Sequence, residues 1–404
     1  MSNRVRLFLI TASCVVVFYV LLGGLLGKSD TSSEKTYRDL GVYSEVLSRI
    51  KSDYVTEPDL RKVTGGAIRG LLEALDPYST YFTPQEYQEY LKQPEAGAAS
   101  VGIFLAKRMG FATVVAVLPG SPAEKAGVKP GDLIDRVEDS ATRELSVVQL
   151  QRMLAGPAGS TVSLTLVHEA RGEPQKVEIT RAVLSEPPTV GKMAEDNAGY
   201  IRVASFSKGQ AAEIAAKLKE LTAAGADKVV LDLRNCAGGN PEEAVKTASL
   251  FLEKGVVAYL EGQRYPRQDL NAIPSAHVCA LPLVVMINQS TAGPAELVAS
   301  AIQGNKRGEA VGVRSFGVGV YQKLIPMDDG SALLLSVAKY YGPDGKAIQD
   351  NGVTPNVVDT SADDSASADD DDNEPTEPEH FGDKNDQELH RAIEVLKQKT
   401  TKAA

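Results

Sequence analysis

Histidine and cysteine are scarce: four and three in 404 residues, and they are scattered. No metal-ligand spacing exists among them, so the sequence leads us to expect no metal and no other cofactor. Cys14 lies in an apolar N-terminal stretch, Cys236 ends one predicted strand and Cys279 precedes another. On parallel strands the last two sulfurs sit at opposite ends, too far apart for a bond that needs Cα atoms within ~7 Å. They are expected as free, packed thiols. A basic patch is also missing, which excludes the electrostatic footprint of a nucleic-acid binder. Positive charge is absent from Asp359 to Glu379, where ten acidic residues match the whole formal charge of −10. That run reads as a solvated, disordered linker.

What is present fits two or three globular domains, with 43% apolar residues to fill their cores. Leu7 to Gly27 is apolar and free of charge, and at ~1.5 Å per residue it spans ~30 Å, the thickness of a bilayer core. Arg4 and Arg6 before it, with Asp30 and Glu34 after it, orient the N-terminus inward and the rest outward. A cleaved signal peptide is the alternative, and either reading exports the remainder. Residues 33–55 and 59–75 then carry two helical apolar stripes, a pair expected to pack on the core or on its own copy.

Residues 99–183 read as a separable module. Strands are expected over Val101–Leu105, Ala112–Leu118 and Leu133–Val137, a helix over Leu145–Leu154, and a hairpin from Val162–His168 and Gln175–Arg181. From Gly199 onward, strands and helices alternate, which favours a mainly parallel sheet. The chain turns on residues 283–322. Leu283–Ile287 is a strand buried on both faces, Asn288–Pro294 is turn-rich, and a helix follows over 295–303. That layout presents a strand-end residue beside the amides of a helix N-terminus. A second strand, Glu309–Val313, and a Gly-rich hairpin at Phe316–Gly319 complete it. A strand at Gly330–Tyr341 and a short amphipathic helix at Asp386–Lys397 end the reading.

Five strings stand out: Asp76-Pro77-Tyr78-Ser79, the PGSPAEKAGVKPGDLI run from Pro119, Asp232 to Gly239, the turn Thr291 to Glu296, and Ile348-Gln349 through Pro355. They resemble those of the C-terminal processing peptidases, also called tail-specific proteases. The resemblance covers roughly 35–358 and the terminal helix. It implies an α/β fold: a ClpP/crotonase-like core with a mainly parallel sheet, an inserted PDZ domain and an N-terminal helical region. The implied boundaries are an anchor or signal at 1–30, helices at 31–95, PDZ at 96–184, core at 185–358, acidic linker at 359–385 and a terminal helix at 386–404.

By the same resemblance, Val101, Gly102, Ile103 and Phe104 form a carboxylate-binding loop and the first groove strand. Val148, Gln151 and Arg152 line the facing helix, for a peptide that adds as a strand. The family nucleophile, a Ser, falls on Gly293. Its general base, a Lys 25 residues on, falls on Val318 in Phe316-Gly317-Val318-Gly319, and the third member falls on Gln322. The oxyanion region falls on Gly238, Gly239 and Pro294. Glycine has no side chain, valine moves no proton, and proline has no N–H to donate. The frame matches and the reacting groups do not.

The expectation is therefore a catalytically inactive relative in a bacterial-type envelope, single-pass with its bulk in the periplasm or outside. It would bind C-terminal tails of envelope proteins as a scaffold or regulator, or pair with an active relative or itself. The alternative is a working Ser-type endopeptidase with relocated groups, drawn from Ser290, Thr291, Ser300, Lys306 and Lys323.

Overall fold

The computed structural model describes residues 31–92, 99–108, 110–168, 172–359 and 381–403, with side chains from Leu40 to Gln398. The apolar stretch 7–27, Cys14 and the acidic run over 360–380 lie outside the described residues. Residues up to Ile68 and residues from Arg69 onward form two compact units. The first contains helix Thr31–Asp53, on which Leu40, Val42 and Val46 are exposed. Among the described residues, no helix is long and apolar enough to cross a membrane.

The second unit is built on a six-stranded sheet. Its order is Val190–Met193, Ala198–Arg202, Lys228–Asp232, Leu283–Ile287, Glu309–Gly312, Val357–Val358. The first pair is antiparallel and every later pair parallel, as the alternating order of elements implies. The all-apolar run Leu283–Ile287 is explained by cover on both faces. Val285 and Ile287 pack with Val298 and Ile302 of helix Pro294–Gly304 and with Ile214 and Phe251 of the two preceding helices. Val284 and Met286 point the other way, to Leu389, Ile393 and Leu396 of helix Gln387–Ala403. Burying three such side chains contributes roughly 1.5–3 kcal/mol each before entropy is counted. The terminal helix is longer than expected.

That helix is also held by charge. Asp386 accepts from the Leu389 amide (3.0 Å) at its N-terminus and from Arg234 Nη1 (3.0 Å) and Nη2 (2.6 Å). Arg234 also grips Asp232 and Glu388, and Tyr200 Oη donates to Asp232 (2.6 Å). Arg234 and Asp232 are both buried, and the Phe381 ring lies 4.6 Å from the guanidinium.

A second, antiparallel sheet runs Thr80–Phe82, Ala332–Tyr341, Val256–Glu261, Gln268–Asn271, with Val320–Pro326 also paired to Ala332–Tyr341. Here one expectation is corrected. Phe316–Gly319 is not a hairpin. It is an extended strap whose Gly317, Val318 and Gly319 amides donate to side chains, and the reversal comes later, between Pro326 and Ala332. Gly317 adopts φ +97 against the Asp350 and Gly352 backbone, so the glycines serve close packing rather than a turn.

The 99–183 module is a five-strand antiparallel path, from edge strand Ile103–Arg108 through Phe111–Val117, Leu133–Val137 and Thr161–Val167 to Gln175–Thr180. Helix Val147–Leu154 starts at a Ser146–Gln149 capping box and buries Val147, Leu150 and Leu154. Cys236 and Cys279 are free and buried, and burial pushes both thiols up.

Candidate active-site cleft

The turn after Leu283–Ile287 is fixed by side chains. Asn288 Oδ1 accepts from the amides of Ser290 (3.1 Å) and Asn235 (3.0 Å), and its Nδ2 donates to Asn235 Oδ1 (2.7 Å). Thr291 Oγ1 donates to the Leu233 carbonyl (2.7 Å), so the turn is tied to the Asp232–Gly239 loop beside it. Gly293 then caps the helix at φ +63, and Pro294 is its first residue. A Cβ built on Gly293 meets nothing within 4 Å. The space a side chain would fill is open.

Three residues later, Glu296 is fully buried in an otherwise apolar helix face. Its carboxylate accepts from Gly293 N (2.9 Å), Gly317 N (2.8 Å), Val318 N (2.8 Å) and Ser315 Oγ (2.5 Å). One side chain therefore staples the helix start to the strap. Burial pushes its pKa up to about 7, against the pull of these donors. The motif containing Glu296 is visible in the sequence, but this role is not. The available signal was a lone acid among Ala295, Leu297, Val298 and Ala299.

Val318 is partly buried and packs against the module core and against the cluster of Ala106, Ala237, Ala292 and Phe316. Gln322 Nε2 donates to the Tyr78 carbonyl (2.8 Å). That ties the strap to Asp76-Pro77-Tyr78-Ser79, whose own turn is held by Asp76 Oδ1 accepting from the amides of Tyr78 and Ser79 (2.8 and 2.7 Å). Burial pushes the Tyr78 phenol up to about 12. Gly239 sits at φ +102 where a Cβ would strike the Phe206 backbone at 2.4 Å, so only glycine fits. A Cβ on Gly238 would lie 3.1 Å from the Phe104 ring. The structure thus brings together Gly293, Pro294 and Val318 through Glu296, and sets Phe104 over Gly238.

The module's candidate residues divide. Ile103 and Leu105 face the module core, while Phe104 and Ala106 face the cluster with Ala237 and Ala292. Val101 is buried, and Gly102 holds φ +86 where a Cβ would lie 2.3 Å from Ser121 Cβ. Across from that strand, Val148 packs against Phe82 and Leu334, and Arg152 pairs with Glu89 (3.4 Å), while Gln151 is exposed. Between loop and core lies a crevice of about 160 Å3, lined by Gly102, Phe104, Leu118, Asn235 and Ala237. A larger cleft, about 760 Å3, opens past the strap and is lined in part by Tyr78, Lys107, Arg108 and Phe316.

Two family models match: "Peptidase family S41" over residues 197–359 and "PDZ domain" over 113–167. The carboxy-terminal-processing protease of Bartonella bacilliformis is 30% identical over 334 residues, covering 81% of this chain and 76% of that protein. This chain belongs to the S41 carboxy-terminal processing peptidase family. A second family relative, the carboxy-terminal processing protease CtpA of Bacillus subtilis, is 30% identical over 88% of this chain and 78% of its own. Among solved structures, a "photosystem II D1 C-terminal processing protease" superposes with a TM-score of 0.67 at 27% identity, covering 78% of this chain and 92% of that one. The S41 fold with its PDZ domain and N-terminal helices is therefore the fold of this chain.

Proposed function

We propose that this S41 chain binds peptide tails without cleaving them, from an exported position. One observation carries the reading. At the two positions where the resemblance puts nucleophile and base, the cleft offers a residue with no side chain and a hydrocarbon packed on the PDZ strand. Pro294 adds a missing N–H. Losing one oxyanion donor costs ~3–4 kcal/mol, and losing nucleophile and base as well leaves background hydrolysis.

Of the candidate groups, Thr291, Ser300, Lys306 and Lys323 give the alternative no support. Thr291 is buried and its hydroxyl is committed to Leu233. Ser300 lies more than one turn into the helix, where a Cβ on Gly342 would come within 2.2 Å of its Oγ. Lys323 is exposed on its strand, two residues past Tyr321 on the same alternation. Lys306 follows the helix at φ +57. Among the described residues lining the larger cleft, the only hydroxyl is that of Tyr78.

The partners on this reading are C-terminal tails of envelope proteins, taken by Val101 to Phe104 as an added strand, with a second copy or an active relative as a further partner. The charge-free stretch 7–27 supports export and anchoring.

The test is incubation of the full chain with a labelled, unstructured peptide ending in apolar residues, followed by anisotropy and mass spectrometry. The expected result is retention of intact peptide, unchanged by Gly293→Ala. Cleavage at enzymatic rates that is abolished by Ser290→Ala, Thr291→Ala or Ser300→Ala would sink the proposal.

A further inference from the structure

The larger cleft holds chemistry that the proposed reading does not use. Its volume, about 760 Å3, is that of a ligand site. Its PDZ wall carries three cations, Lys107 and Arg108 from the edge strand and Arg143 from the turn before helix Val147–Leu154. Among the described residues, none of the three is in a salt bridge. Arg108 donates to the Phe316 carbonyl (3.3 Å) and stacks on that ring, and Arg143 stacks on Phe111.

Lys107 differs from both. Only 9% of the residue is exposed, yet among the described residues its amine has a single partner, the Arg143 carbonyl at 2.9 Å. An ammonium carries three donors, and a buried one left short of acceptors is costly. Burial lowers the Lys107 pKa, and the Glu73 carboxylate acts against it. Lys107 itself lines the cavity. Glu73 and Asp350 stand on other walls of the cleft, and Asp350 Oδ1 already accepts from Gln349 Nε2 (2.7 Å).

We infer that the cleft is a subsite for acidic side chains of the bound peptide, with Lys107 as the central contact. The inference rests on the peptide-binding reading above. The Ile103–Arg108 strand pairs on one side only, with Phe111–Val117, so a peptide has an edge to extend along. Strand alternation places Lys107 on the same face as Ile103 and Leu105, the face toward helix Val147–Leu154. A peptide laid along that edge carries its residues upstream of the tail past the amine. A carboxylate there supplies the acceptor that Lys107 lacks and forms a charge-assisted hydrogen bond.

The experiment uses the full chain and two labelled peptides with the same free, apolar C-terminus. One carries a pair of aspartates upstream and the other a pair of asparagines. The aspartate peptide is expected to bind about tenfold more tightly, a preference that fades with added salt. Lys107→Met, which keeps the stem and removes the charge, should erase the preference and leave the asparagine peptide's affinity unchanged. Arg143→Gln, a change at an exposed position, should reduce the preference and guards against misfolding of the buried variant. Equal affinities in the parent protein, or a preference that survives Lys107→Met, would overturn the subsite. Failure of both peptides to bind would instead remove the peptide-binding reading beneath it.

Discussion

Two buried charges in this molecule are solved in opposite ways. Arg234 is an ion among ions: Asp232, Asp386 and Glu388 surround it, and through Asp386 it fastens the terminal helix. Glu296 is a carboxyl with no cationic partner among the described residues, held by three amides and a hydroxyl. The first joins segments far apart in sequence by Coulomb attraction. The second joins the two halves of the would-be active site by hydrogen bonds that exist only if the backbone of both is correctly placed. On the proposed reading, Glu296 fixes the backbone at Gly293 and Val318, the two positions that the resemblance assigns to nucleophile and base.

The largest effect should come from breaking the ionic site. Arg234→Met leaves several carboxylates buried without a cation and is expected to cost about 3–5 kcal/mol in urea unfolding, with release of the terminal helix seen by hydrogen exchange. A loss under 1 kcal/mol would mean that the cluster is not the fastening described. Glu296→Ala comes next. It strands four donors and is expected to cost roughly 2–3 kcal/mol, with hydrogen-exchange protection lost first in residues 314–319.

The pH responses of the two sites should then separate. The Glu296 carboxyl has a folded pKa of about 7, above its unfolded value, so the folded state binds more protons between those values. Its contribution is greatest at low pH and fades as pH rises toward 7, at up to about 1.4 kcal/mol per unit. Glu296→Gln should flatten this slope. Asp232 behaves oppositely: burial alone would raise its pKa, but Arg234 and the Tyr200 hydroxyl hold it below the usual carboxylate range. Its contribution is present above the unfolded pKa and lost only in strong acid. A stability profile with no decline from pH 5 to 7 would break the contrast. The smallest effect belongs to Gly293→Ala. The cavity has room for the methyl, so the cost is that of holding a residue with a Cβ in the sparsely populated conformation φ +63, ψ −121, about 1–3 kcal/mol, with peptide retention unchanged.

Much of this was legible in the sequence because it depends on local pattern. Leu283–Ile287 is apolar throughout, and a strand of that kind is covered on both faces. Asp386 precedes an amphipathic stripe and caps it. The Asp232–Gly239 string carries the Gly pair that the Phe206 backbone requires. What stayed hidden was convergence. The identity of the second cover over Leu283–Ile287, a helix about a hundred residues on, cannot be found in periodicity. Gly317 and Gly319 look like turn residues because turns are the commonest use of such spacing. Here Gly317 admits the Asp350 and Gly352 backbone, and Gly319 admits the Gln349 amide and the Ile348 side chain. Val148 and Arg152 have the spacing of a groove wall, yet their partners, Phe82 and Glu89, lie in a segment whose position no local rule supplies. Lys107 is one basic residue in a strand until the carbonyl of Arg143 and the cavity beside it are known.

The order in which the main sheet acquires its two covers has a biosynthetic consequence. One set of helices is interleaved with the strands and is made alongside them. The other cover, Gln387–Ala403, leaves the ribosome only after every strand is complete. Until then Tyr200, Val230, Val284, Met286 and Val311 form a bare apolar surface on the nascent chain, and a product cut short before Asp386 keeps it bare. Such a product is an aggregation hazard.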